Sequence, residues 1–179
     1  MKNDNRGFTL VELIVSLVIF SIVVTAVFGF MLAGSHSYTR TMATLNMDLQ
    51  STLTLKQLSE YIIDCNACIT FEDNTLYVVN FDEQASTYTA HVFKYLDDSI
   101  YYGTGSATLS GGRYVFTVPA DNLLADGVSA FFVTPVTTDG LHISSTVVSI
   151  RFARNAATYT AKRTIALRNQ PAIGLVSAG

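Results

Sequence analysis

Cysteine is scarce in this sequence. Two in 179 residues exclude a disulfide-dense scaffold. Three prolines and eleven glycines exclude collagen-like or proline-rich sequence. Only 14% of residues are charged, and the formal net charge is −3. A general nucleic-acid binder would show a basic excess instead. Tryptophan is absent, which bears on no function. GxSxG, HExxH, P-loop and GxGxxG motifs are all missing, so no enzyme activity is expected. His36, His91 and His142 lack the paired spacing of metal ligands, and neither metal nor cofactor is expected. Asp121, Asp126 and Asp139 do not fall at EF-hand spacing. There is no internal repeat, low-complexity tract or linker.

What the chain does have is apolar surface. Hydrophobic residues make up 49%, which excludes disorder. Leu13 to Ser35 is a run of 23 residues without a formal charge or a proline. That matches the roughly 20 residues needed to span a bilayer. It is too long for the core of a secretory signal, and no A-x-A cleavage site follows. Lys2 and Arg6 against Asp4 leave a small positive excess before the run. The expectation is a single pass with the N-terminus cytoplasmic and the remainder outside. Ser16, Ser21 and Thr25 can bond back to their own helix in lipid. Glu12 is the anomaly. An acid at the start of an apolar run is costly and should have a partner.

Gly7-Phe8-Thr9-Leu10-Val11-Glu12-Leu13 follows a short charged leader and precedes the apolar run. This arrangement resembles the type IV prepilin signal. The family includes type IV pilins, type II secretion pseudopilins and competence pseudopilins. The resemblance implies cleavage between Gly7 and Phe8 by prepilin peptidase on the cytoplasmic face, followed by N-methylation of Phe8. It implies that Glu12, then the fifth residue, pairs with the N-terminal amine of a neighbouring subunit during assembly. The implied partners are other pilin or pseudopilin subunits, the peptidase, an inner-membrane assembly platform and the lipid bilayer. One departure stands out: many major pilins carry a proline midway along this helix, where this chain has Gly29.

Residues 36–64 contain no glycine or proline, so the helix should continue to about residue 64. Tyr38, Met42, Leu45, Leu49 and Leu53 share one face; Met47, Leu55, Leu58 and Ile62 lie roughly opposite. Two apolar faces call for two partners. The second face should meet this protein's own sheet and the first the helices of neighbouring subunits, unless one wrapping domain buries both. Cys65 and Cys68 follow at the helix end. A disulfide, two free buried thiols, and a redox or metal role are the candidate readings.

From Ile69 onward the composition turns to Thr, Val, Tyr and Phe between turn residues. Strands are expected at 76–81, 87–96, 100–102, 107–109, 114–118, 128–134, 146–154 and 158–168. Gly111-Gly112 marks a two-residue hairpin and Asn155-Ala156 a bend. The tail, 170–179, reads as loosely held. The expected fold class is α+β and pilin-like: a long N-terminal helix, membrane-spanning in its first half, packed on a C-terminal antiparallel sheet. The expected divisions are a leader at 1–7, an assembly half at 8–35 and an extracytoplasmic domain at 36–179.

LLADGVSAFFV and VVSIRFAR…TIALRN are similar to minor pilins and to J-type minor pseudopilins of type II secretion. Residues 60–139 hold eleven acids and two bases; residues 140–179 hold five bases and no acid. Those five, Arg151, Arg154, Lys162, Arg163 and Arg168, form a candidate ligand patch with DNA as a candidate partner. The favoured reading of them is complementary packing between subunits or within the sheet. The combined expectation is a structural subunit, a minor pilin or pseudopilin, of a filament at the cell surface or in the periplasm. The alternative is a tip subunit that recognises DNA or a surface ligand.

Overall fold

The structure, a computed structural model, describes residues 9–116, 118–137, 140–154 and 157–178. One helix, α1, runs Leu10–Ile63. The chain divides into two units within this helix, one ending at Met42 and the other beginning at Ala43. Among the described residues of the first unit every apolar side chain is exposed except Val24, which is half-buried. The hydroxyls of Ser16, Ser21 and Thr25 donate to the carbonyls of Glu12, Val18 and Ser21 at 2.7–2.8 Å, so none is left bare along the run. Gly29 and Gly34 have open space around them and receive no neighbouring backbone.

The second unit is α+β. Met47, Ser51, Thr54, Leu55, Leu58, Ser59 and Ile62 recur at three- and four-residue steps and form the buried stripe of the helix. The buried hydroxyls of Ser51, Thr54 and Ser59 bond to helix carbonyls at 2.6–2.8 Å, which removes the cost of burying them. No glycine ends the helix. Arg168 N–H donates to the Ile63 carbonyl at 3.1 Å and Asn169 Nδ2 to the Asp64 carbonyl at 3.2 Å, so the far end of the chain caps its last turn.

Eleven described strands follow: β1 (Cys68–Glu72), β2 (Thr75–Asp82), β3 (Thr87–Leu96), β4 (Ser99–Ser110), β5 (Arg113–Phe116), β6 (Asn122–Asp126), β7 (Val128–Thr137), β8 (Ile143–Arg154), β9 (Ala157–Ala166), β10 (Ala172–Ile173) and β11 (Leu175–Ala178). They form two sheets, where one was expected. The larger has the order β10-β1-β2-β3-β4-β5-β11, with β6 also on β4; the smaller is β7-β8-β9. Three hairpins close through two-residue turns with both central φ positive: Asp73-Asn74, Asp97-Asp98 and Gly111-Gly112. Such turns match the right-handed twist of the strands, and Asp and Asn tolerate them.

Two apolar clusters lie on opposite faces of the larger sheet. The main one joins Leu58 and Ile62 of the helix to Leu76 and Phe93 of the larger sheet and to Phe131, Ile150 and Phe152 of the smaller. Phe71 and Phe131 meet edge to face, with centroids 5.6 Å apart. The second cluster, Cys68, Val79, Ala90, Val92, Ala107 and Phe116, lies on the other face.

The tail corrects the expectation of a loose end. β10 pairs with β1 and β11 with β5, both parallel, so one segment touches both edges of the β1–β5 path. Gly174 stands between them. A Cβ there would overlap Cys68 Sγ, so glycine is required by close approach. The short stretches expected at 100–102 and 107–109 are parts of one strand, β4. Gly103 and Gly105 hide it, and at Gly103 a Cβ would overlap the Pro119 carbonyl of the loop that crosses the sheet. β1 and β6 were not expected.

Candidate functional site

Gly7 and Phe8, the expected cleavage and methylation residues, lie outside the described residues. The residues after them show what the motif does locally. Thr9 N–H and Thr9 Oγ1 both donate to Glu12 Oε2, at 3.1 and 3.0 Å, and Glu12 N–H donates to Thr9 Oγ1 at 3.3 Å. This is a reciprocal capping box at the start of the helix. Leu13 N–H reaches the Thr9 carbonyl at 3.2 Å and begins the helical ladder. Glu12 is therefore both the first-turn acid of α1 and the acceptor for its orphan donors. Sequence reasoning missed the role of Thr9, although a Thr three residues before a Glu and ahead of an apolar run signals this motif.

The first apolar face of the helix is bare. Leu45, Leu49 and Leu53 each expose more than half their surface, and Tyr38 and Met42 are exposed too. The opposite face, Met47, Leu55, Leu58 and Ile62, is buried, so no single wrapping domain covers both.

Cys65 and Cys68 are free thiols, each in a different apolar cluster. Cys65 Sγ sits 3.3 Å from the carbonyl oxygens of Cys68 and Val79. Burial pushes the Cys65 thiol up to about 12 and the Cys68 thiol up to about 11. Neither favours the thiolate that nucleophilic or metal chemistry requires. Among the described residues no group of three His, Cys, Asp or Glu is placed to hold a metal ion.

The five bases are not brought together. Arg154 pairs with Asp126 at 2.9 Å, and Arg168 pairs with Asp64 at 2.8 Å beside the helix end. Arg163 Nη1 reaches Ser59 Oγ at 3.4 Å on the helix side. Arg151 and Lys162 stand on the outward face of the smaller sheet, away from that cluster.

A groove of about 560 Å³ runs beside the helix, walled by Gln57, Tyr61, Tyr102 and Leu124. The Tyr61 ring packs tilted against His91 and stacks on Tyr102, with centroids 4.4 and 5.3 Å away, and His91 Nδ1 shares a hydrogen bond with the Tyr102 hydroxyl at 3.0 Å. Burial lowers the His91 pKa, and burial together with Tyr61 raises that of Tyr102 to about 12. Both are neutral near pH 7, which suits a packing role.

The helix is long and apolar enough to cross a membrane. No curated protein and no solved structure matches the chain. One family model does match: the prokaryotic N-terminal methylation motif, over residues 2–28. The matched segment includes the Gly7-Phe8 junction and the Thr9–Glu12 cap. The N-terminus of this chain carries a type IV pilin-like prepilin signal.

Proposed function

We propose that this chain is a minor pilin or pseudopilin, a structural subunit of an extracytoplasmic filament. The observation that carries the reading is the methylation motif at residues 2–28, which runs into a helix whose apolar face is bare. The motif supports a pilin-like subunit processed by prepilin peptidase. Hydrolysis of the Gly7–Phe8 peptide bond removes Lys2, Asp4 and Arg6 and takes the net charge from −3 to −4. The new amine at Phe8, methylated, lies one residue before the cap. Glu12 Oε2 is engaged by Thr9, and the same carboxylate offers Oε1 to the amine of a neighbour. That pairing offsets a charge in lipid and fixes the register between subunits.

In this reading residues 1–7 are the leader, 8–35 the membrane and assembly half, and 36–179 the extracytoplasmic part. A photo-crosslinking residue at Leu49 should join neighbouring subunits in the cell envelope. The same residue at Leu58, on the buried face, should not. Equal yields from the two positions would defeat the assembly reading.

A further inference from the structure

The charge imbalance along the sequence becomes a division between the two sheets. At one end of the larger sheet, the β1–β2 and β3–β4 turns are tied by a Tyr95 N–H···O=C Asn74 bond of 2.9 Å. They bring Glu72, Asp73, Asp97 and Asp98 together, all exposed. Asp121 and Asp73 both line a groove of about 640 Å³ that also holds Leu96, Tyr101 and the cation Lys94. None of these five carboxylates forms an ion pair with a described residue.

The outward face of the smaller sheet is the converse. Phe132 lies opposite Ser149 and Ser149 opposite Lys162, while Ala130, Arg151 and Thr160 form the next row. Arg151 is therefore the diagonal neighbour of both Phe132 and Lys162 on one face, about 7–8 Å from each. Phe132 is 59% exposed, and neither cation has an ion-pair partner among the described residues. Arg154 and Arg168 have already taken the acids that this chain can bring to them.

We propose that the outward face of β7–β9 in one copy docks on the acidic turn end of the larger sheet in a second copy. The two surfaces differ, so the contact is heterologous, and the joined pair keeps one free surface of each kind. Such a contact propagates in a line unless the rotation closes it. Phe132 and Leu96 supply apolar surface, while the charges set register and speed encounter. The proposal rests on the filament reading but concerns the heads, which that reading leaves unassigned.

The test uses the full chain in detergent micelles. Zero-length carbodiimide coupling of wild type should join Lys162 to Glu72, Asp73, Asp97, Asp98 or Asp121 of another copy, with the yield falling as salt is raised. Two variants then separate the surfaces. One is Arg151→Glu with Lys162→Glu. The other is Glu72→Lys with Asp121→Lys, which leaves the strained turn residues Asp73, Asp97 and Asp98 in place. Each alone should weaken self-association at least about tenfold, with an unchanged melt. Mixed, they should recover association, because the intact basic face of the second meets the intact acidic end of the first and the two reversed surfaces are opposite in sign. Lys162 coupling to other acids, or self-association unaffected in either variant, would overturn the proposal. A wild-type chain that is processed at Gly7 yet fails this test would leave the filament reading standing and the head contact refuted.

Discussion

Thr9 and Glu12 show how one short motif can serve two ends. The capping box gives Glu12 a local partner, which lowers the cost of an acid beside an apolar run before any assembly takes place. Thr9→Ala should lose about 1 kcal/mol at the helix start, read as faster hydrogen exchange in the first turn. Glu12→Gln keeps an oxygen for the cap but removes the charge, and Glu12→Ala removes both. Both should insert in the membrane and both should be depleted from filaments, measured as the ratio of sheared to membrane-held protein. If Glu12→Gln assembles as wild type does, the carboxylate acts only as a cap.

His91 is the residue that links the core to pH. Burial holds its folded pKa below the unfolded value of about 6.5, so the unfolded chain binds more protons below that pH. The stabilising contribution is complete above about 6.5 and is lost as pH falls through the lowered folded value. Denaturant midpoints at pH 7.5 and 5 should therefore differ, and His91→Asn should reduce the difference. An unaltered difference would assign the pH dependence to other groups.

At the scale of elements, the second half of the helix earns its place through one stripe. Leu58 is fully buried and Leu49 is not. In the fragment 36–179, Leu58→Asp should abolish the cooperative melt because it buries an unpaired charge. Leu49→Asp should leave the melt nearly unchanged. Equal damage from both would mean that the bare face is covered within the isolated domain.

The tail offers a sharper test of packing. Gly174→Ala should destabilise because its Cβ meets Cys68 Sγ, and Cys68→Ala should relieve most of that clash. The double variant should melt above the sum of the two single effects. Strict additivity would remove the contact from the account.

These elements also show what could be read from the chain alone. The strand at 87–96 and the turns at 73–74, 97–98 and 111–112 were legible, because alternation and turn chemistry are local signals. β4 was not, because glycines placed for a crossing loop look like a break. β6 was hidden because it is short and pairs with β4 across a register shift. β10 and β11 depend on edges about 60 to 100 residues away in sequence, and no local pattern announces such pairing. The cap at Thr9 was legible and was missed. The scattering of the five bases was not legible, since Asp126 and Asp64 meet Arg154 and Arg168 only in the folded chain.

For the whole molecule, the account joins a signal, a bare helix face and a two-sheet head into one filament subunit. Its central claim is that the prepilin signal is read and removed, leaving Phe8 as the first residue. Intact-mass and N-terminal peptide spectrometry on protein from envelopes that contain prepilin peptidase tests this directly. The account predicts a chain that begins at Phe8 with one methyl group on its amine, and the uncut chain when the peptidase is absent. Assembled protein that still begins at Met1, or an N-terminus at any other position, would contradict it.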